Sequence, residues 1–221
     1  MSLKRILHSV LDIIFPSCCI SCGKRGPEFC LECISQSRAA ERESEIWIFP
    51  IFDYRHPPLK KAVHALKYKG NKRIARIFAE VLYSRMVEEL SDLDTMENFR
   101  DPILVPIPLS AKRKRERGYN QAELMCDELL NIHLRHSVDW KLSKNILYKP
   151  KDTIHQAHIE NRSARLKNVI GSFAIKNNHF LQGRNIILID DVTTTGATLS
   201  EARKMLKRAG ARRIIAFTIA H

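Results

Sequence analysis

Two stretches of this 221-residue chain carry residue types whose spacing implies chemistry. The first is Ile186-Ile187-Leu188-Ile189-Asp190-Asp191-Val192-Thr193-Thr194-Thr195-Gly196-Ala197-Thr198. Its unbroken apolar run suits a strand covered on both faces, and that strand delivers two adjacent acids to its carboxyl end. A loop of small hydroxyl residues and one glycine then opens a helix. A helix start presents unpaired N–H groups and a partial positive charge, which suits a phosphate. Thr193, Thr194, Thr195 and Thr198 add hydroxyl donors, Val192 and Ala197 complete the string, and Gly196 lets the backbone come close. Carboxylates repel a phosphate, so Asp190 and Asp191 call for a different partner. They suit the vicinal hydroxyls of a ribose, or a Mg²⁺ shared with them. Acid pair plus phosphate loop reads as a site for a ribose 5-phosphate. The competing reading is an Asp-rich turn in which Asp191 or a threonine caps the helix. No lysine follows the glycine, as a Walker A loop requires, and no GxGxxG marks a dinucleotide site.

The second stretch holds five of the six cysteines: Cys18, Cys19, Cys22, Cys30 and Cys33. Cys19-x-x-Cys22 and Cys30-x-x-Cys33 are two CxxC pairs, and Gly23 permits a tight turn after the first. Two such knuckles supply four sulfur ligands for a structural zinc. A redox dithiol or a disulfide is the alternative. A segment this short has no core to fold around without a metal. Cys18 is adjacent, but only Cys19 gives the CxxC spacing with Cys22. Cys126 sits in an apolar helical pattern and reads as packing.

With 44% hydrophobic and 28% charged residues, the chain is neither disordered nor a small disulfide scaffold. Its distinguishing number is a net charge of +13, which makes polyanions the default partners: nucleic acid, a phosphorylated substrate or an anionic membrane. The excess is clustered. Lys60, Lys61, Lys67, Lys69, Lys72, Arg73 and Arg76 occur without an intervening acid, Lys112 to Arg117 form a basic run broken only by Glu116, and Glu201 to Arg213 form a third group of six bases and one acid. The third fits one exposed helix side. The second has no apolar periodicity and reads as a mobile or phosphate-facing loop.

Positioning these groups requires a scaffold. Leu3, Ile6, Leu7, Val10 and Ile14 predict a short amphipathic helix, too short and too charged to span a bilayer and without a cleavage site. Its expected role is docking on the main domain, with surface membrane contact as the alternative. Residues 35–45 read as a linker, which divides the chain into a module over 1–40 and a domain over 46–221. Within the domain, 46–52, 103–108, 171–176, 184–190 and 213–220 read as extended, with a short strand near Ile146. Helices are expected over about 58–67, 72–90, 120–133 and 197–209, with 91–101 as a surface connection. The alternation indicates α/β with a mostly parallel sheet.

The Asp190–Thr198 string resembles the signature of type I phosphoribosyltransferases. Lys67-Tyr68-Lys69-Gly70, Val105-Pro106-Ile107-Pro108, Arg113 through Gln121, Thr153-x-x-Gln156, Arg165 and Asn168, with the two CxxC pairs, resemble the ComF/GntX competence-protein family. The resemblance implies a phosphoribosyltransferase-like domain of mostly parallel sheet with flanking helices, plus a small zinc-ribbon or knuckle module. It implies that Asp190 and Asp191 hold ribose hydroxyls of phosphoribosyl pyrophosphate (PRPP) with Mg²⁺. Residues 192–198 would hold the 5-phosphate, and residues after Pro108 the pyrophosphate. Arg113, Arg115, Arg117, Lys67 and Lys69 are candidate contacts to pyrophosphate or nucleic acid. Tyr68 and Tyr119 are candidate stacking surfaces. The family links the chain to DNA uptake, with single-stranded DNA and other uptake proteins as possible partners. The expected location is cytoplasmic, or peripheral at the inner membrane. Transferase chemistry and PRPP-sensing regulation without transfer both stay open, and Ile154-His155-Gln156-Ala157-His158 departs from the family's commoner wording.

Overall fold

The apolar runs before Asp190 and before the C-terminus form adjacent central strands. The computed structural model describes residues 17–41, 45–134, 140–150, 169–176 and 178–221. The N-terminal helix and the Thr153–Asn168 motif therefore lie outside the described residues. The main sheet comprises β1 (Ile48–Phe52), β2 (Ile103–Pro106), β3 (Lys141–Leu142), β6 (Asn185–Val192) and β7 (Arg213–Ala220), in the order β1-β7-β6-β2-β3. Every pairing in it is parallel. β4 (Leu147–Tyr148) and β5 (Ala174–Ile175) form a separate antiparallel pair.

Five described helices lie around the main sheet: α2 (Pro57–Lys69), α3 (Lys72–Glu97), α4 (Ala111–Arg117), α5 (Gln121–His133) and α6 (Ala197–Arg208). A short α1 (Leu31–Ser35) lies in the cysteine segment. Side chains alternate along a strand, so β6 feeds two cores. Ile187 and Ile189 pack with residues of α2, α3 and α5, while Ile186 and Leu188 pack with α6 and the β4–β5 pair. All four are fully buried, as the continuous apolar run requires.

Two boundaries differ from the expectation. α3 continues past Leu90 to Glu97, because Leu90 and Leu93 still pack on the core and no breaker intervenes before left-handed Asn98 (φ 51°). The basic run 112–117 is a helix, not a loop. Ser110 caps it, accepting a bond from Arg113 N–H, and none of its residues is buried. A helix exposed all round has no apolar period to detect. Residues 38–40 are also no free linker. Ala39 pairs with Phe52, and Ala40 donates to Ile51 across 3.0 Å, extending the outer edge of β1.

The joint between α2 and α3 is pinned from a distance. Gly70 ends α2 at φ 58°, in the left-handed region where glycine costs least. The Tyr119 hydroxyl accepts from Gly70 N–H at 2.7 Å and donates to Leu66 carbonyl at 2.9 Å. Tyr119 is thus a strut between the α4–α5 turn and α2. Replacing Tyr119 by Phe removes both bonds and leaves the ring in place. The expected loss is about 1–3 kcal/mol, read in urea unfolding as a lower midpoint with an unchanged m-value. An unchanged midpoint would show that the strut bears no stability.

Candidate functional site

Because all five strands run the same way, the carboxyl ends of β1, β7, β6 and β2 share one edge of the sheet. Ligands of open parallel sheets bind at such an edge, where connections diverge. Here β6 leaves through α6 toward β7, whereas β2 leaves through α4 and α5 toward β3. The crevice between them receives Asp190 and Asp191.

Strand alternation sends the two acids to opposite faces, and each meets a lysine there. Asp191 continues the face of Ile187 and Ile189, where α2 brings Lys67 Nζ to 3.1 Å from its Oδ1. Asp191 is buried, and its Oδ2 has no hydrogen-bond partner among the described residues. Asp190 continues the other face, toward Lys149. That lysine follows β4, bridges in parallel to Ser110, and lies 4.7 Å from the centre of the Phe173 ring.

The electrostatics follow from this crowding. Burial first, and the adjacent Asp191 carboxylate second, push Asp190 up to about 7, against a hydrogen bond from Asp191 N–H and the attraction of Lys67 and Lys149. Burial pulls Lys67 down, but Asp191 and Asp190 outweigh it, and the net shift is upward. Lys149 falls to about 8, chiefly by burial, with Asp190 opposing and Arg113 adding repulsion. Tyr54, just after β1, also acts on Lys67, so it too approaches the pair.

The threonine loop is open. Its helix is capped by Gly196 at φ 71° without a side-chain bond, so neither Asp191 nor a threonine at the cap position closes α6. Only Thr195 Oγ1 lies within reach of Ala197 N–H, at 3.4 Å. Thr193 is buried and held by its N–H to Ala220 carbonyl, whereas Thr194 is exposed. A cavity of about 320 Å³, lined by Asp53, Tyr54, Arg55, Thr194 and His221 among others, adjoins the loop.

Of the basic residues singled out in the sequence, Lys67 joins the acid pair and Arg113 acts on Lys149. Arg117 turns elsewhere, donating to Gln121 and lying 5.1 Å from the centre of the exposed Tyr68 ring. Lys69 and Arg115 are exposed. Sequence reasoning missed Lys149 and Tyr54. Neither belongs to a local motif, and only the tertiary fold brings them to the edge.

The four cysteines converge. Their Sγ atoms lie within 4.8 Å of one another, with Cys19 to Cys33 at 3.8 Å and Cys22 to Cys30 at 3.7 Å. A tetrahedron of Zn–S bonds near 2.3 Å has sulfur edges of about 3.8 Å, whereas a disulfide is about 2 Å long. The cluster can therefore hold one metal ion, and zinc fits it. Cys18 is exposed and outside the set. Burial raises the Cys19 thiol, but hydrogen bonds from the backbone of Cys22, Cys30 and Ser21 overcome this and lower it to about 6. Ser21 lowers Cys33, yet burial and the neighbouring sulfurs push it up to about 12. Four thiolates need a cation between them. The module docks on α3 through Phe29, which meets Phe78 edge-on at 6.4 Å, and through Glu28 with Arg73 and Asn71.

No family model matches the chain. Curated proteins do. It is 30% identical to the DNA utilization protein YhgH of Escherichia coli K12, over 73% of this chain and 66% of that protein. It is 29% identical to competence protein F of Haemophilus influenzae, over 87% and 81%. It is 35% identical to competence protein ComFC of Bacillus subtilis, over 73% and 59%. The chain thus spans just under two thirds of the length of the YhgH proteins it matches. Solved structures resembling it include hypoxanthine phosphoribosyltransferase of Trypanosoma cruzi with its product IMP, at TM-score 0.38 and 10% identity, over 66% of this chain and 62% of that one. No described helix is long and apolar enough to cross a membrane.

Two measurements probe these centres. Native mass spectrometry should find one zinc per chain, lost in Cys19→Ser and retained in Cys18→Ser; the reverse pattern would reassign the ligand. Asp190, raised to about 7, binds its proton in the folded state at pH values where the unfolded chain has lost it. Its contribution to stability therefore falls as pH rises from about 4 to 7. Asp190→Asn should raise the melting temperature by a few degrees near pH 8 and have little effect near pH 4. A pH-independent difference would remove the raised carboxyl.

Proposed function

The chain belongs to the ComF family of competence proteins, and from that premise we propose that it binds PRPP, or a ribose 5-phosphate, at the carboxyl edge of the sheet and serves DNA uptake. The observation that carries the proposal is the buried Asp191. One of its oxygens rests on Lys67 and the other has no protein partner among the described residues, beside a helix start whose glycine cap makes no side-chain bond. A sugar hydroxyl donates to such an oxygen, and the phosphate five atoms away along the ribose finds the amides of the loop.

Each group has one task in this reading. The open first turn of α6 and the Thr193–Thr198 hydroxyls receive the 5-phosphate. Asp190 and Asp191 accept from the ribose hydroxyls and orient the ring. Lys67, Lys149 and Arg113 stand around the pair and draw the negative charge of pyrophosphate. If the glycosidic bond breaks, negative charge grows on the leaving pyrophosphate, and fixed cations favour that charge without reorganising. Asp190 and Asp191 would also hold Mg²⁺, which when bound neutralises the pyrophosphate and the ribose oxygens. Asp191 Oδ2 and the near-neutral Asp190 suit that cation, since both gain from a positive partner. The cavity at Tyr54, Thr194 and His221 is the room left for an acceptor.

DNA handling draws on a different surface. Tyr68 is exposed on α2, with the tilted His64 ring 4.6 Å away and Arg117 over its face, among Lys60, Lys61 and Lys69. Such a combination tracks a single strand. The zinc module and the surface it presents are the proposed docking point for other uptake proteins.

Calorimetric titration with PRPP and Mg²⁺ tests the ribose site. The parent chain is expected to bind, Asp191→Ala to lose at least tenfold in affinity, and Lys149→Ala to weaken binding mainly toward PRPP rather than ribose 5-phosphate. Equal affinities for the parent and Asp191→Ala would refute the assignment.

A further inference from the structure

The opposite edge of the sheet carries a separate groove. A groove of about 430 Å³ opens beside the edge strand β3, where β2 begins at Ile103 and β6 is about to begin at Arg184. β6 rises about 3.3 Å per residue, so this groove lies about 20 Å from Asp190. It belongs to neither the acid pair nor the basic surface of α2.

Its lining has two kinds of residue. Ile103 and Ile146 give an apolar floor, and Phe180 stands at its side with 60% of its surface exposed. Phe180 is held out by its neighbour: Leu181 is fully buried and anchors the 3₁₀ turn (Asn178–Leu181) that precedes β6. Three cations also line the groove, each from a separate element. Lys141 comes from β3, Lys176 follows β5, and Arg184 precedes β6. No acid lines the groove, and none of the three makes an ion pair among the described residues. Several other cations of this protein do have acids. Arg73 meets Glu28, Arg76 meets Glu80, Lys114 meets Glu123 and Lys204 meets Glu201.

An exposed ring over an apolar floor offers a face to a planar heterocycle, and three uncompensated cations offer charge to phosphates. We propose that this groove binds single-stranded nucleic acid, with a base against Phe180 and the adjoining phosphates on Lys141, Lys176 and Arg184. A duplex keeps its bases stacked inside and has no face to give Phe180, so the ring selects an unpaired strand. The cations come singly from separate elements along the groove, which suits a run of phosphodiesters. The site does not rest on the ribose-phosphate reading and survives its failure.

Fluorescence polarisation with a labelled oligothymidine, on the full chain at several salt concentrations, tests the proposal. Phe180 is exposed, so Phe180→Ala should fold normally, and it should weaken binding about tenfold. Lys176→Glu with Arg184→Glu should also weaken binding and make the salt dependence shallower by roughly one to one and a half in log–log slope. Photocrosslinking of a 5-iodouracil oligonucleotide to the parent chain should label the peptide that contains Phe180. Saturating PRPP, or the Asp191→Ala change, should alter neither result. If the groove variants bind like the parent, or crosslinks fall only on α2 and α4, the groove is not a nucleic-acid site. A double-stranded competitor as effective as the single strand would equally overturn it.

Discussion

Two carboxylates placed side by side at the end of a strand buried on both faces are the constraint around which this protein is arranged. Left alone, such a pair would repel and lose hydration, and one member would hold its proton at neutral pH. Alternation along β6 separates the pair by face, so compensation must come from two directions. α2 supplies Lys67 on one side, and the segment after β4 brings Lys149 toward the other. Those lysines have their own requirements. Lys67 sits on a helix whose end is turned by Gly70 and braced by Tyr119, and Lys149 is fixed beside Ser110 at the start of α4. The strut, the short basic helix and the β4–β5 pair thus converge on holding cations against two crowded acids at the mouth of an open helix start.

That balance also explains why the site is poised for a ligand. Asp190 at about 7 and Lys149 at about 8 are both displaced toward their neutral forms by burial. A ligand carrying hydroxyls, phosphates and a divalent cation returns to each what the protein interior withholds. In the proposed reading, preorganised cations around an incompletely satisfied acid pair would bind such a molecule without large rearrangement. The cysteine module stands apart from this chemistry. Its four cysteines hold a segment too short to fold alone, and its contacts with Phe78, Arg73 and Asn71 fix it to the first turns of α3.

How much of this was legible in the sequence depends on how local each signal is. The Ile186–Thr198 string and the two CxxC pairs are contiguous, and the strand, the loop and the cysteine cluster stand where those residues imply. The parallel order of the sheet follows from the unbroken apolar runs, because such strands need helices on both faces. Lys112–Arg117 was opaque as a helix, since a fully exposed helix has no apolar period, and only the Ser110 cap marks its start. The end of α3 was hidden by the polar residues Ser91, Asp92 and Asp94, whose exposure on a helix looks like a connection. Lys149, Tyr54 and the true role of Tyr119 were out of reach. Each acts on a residue of another element, and nothing in its neighbours distinguishes it from an ordinary surface lysine or aromatic.

The central claim is that the acid pair and the threonine loop together receive a phosphorylated ribose. A crystal structure of the chain grown with PRPP and Mg²⁺ tests it most directly. The expected result places the 5-phosphate on the amides of residues 194–198, the ribose hydroxyls on Asp190 and Asp191, and the pyrophosphate toward Lys67, Lys149 and Arg113. Density for the sugar anywhere else, or an unaltered Lys67–Asp191 pair with an empty loop at saturating ligand, would contradict the account.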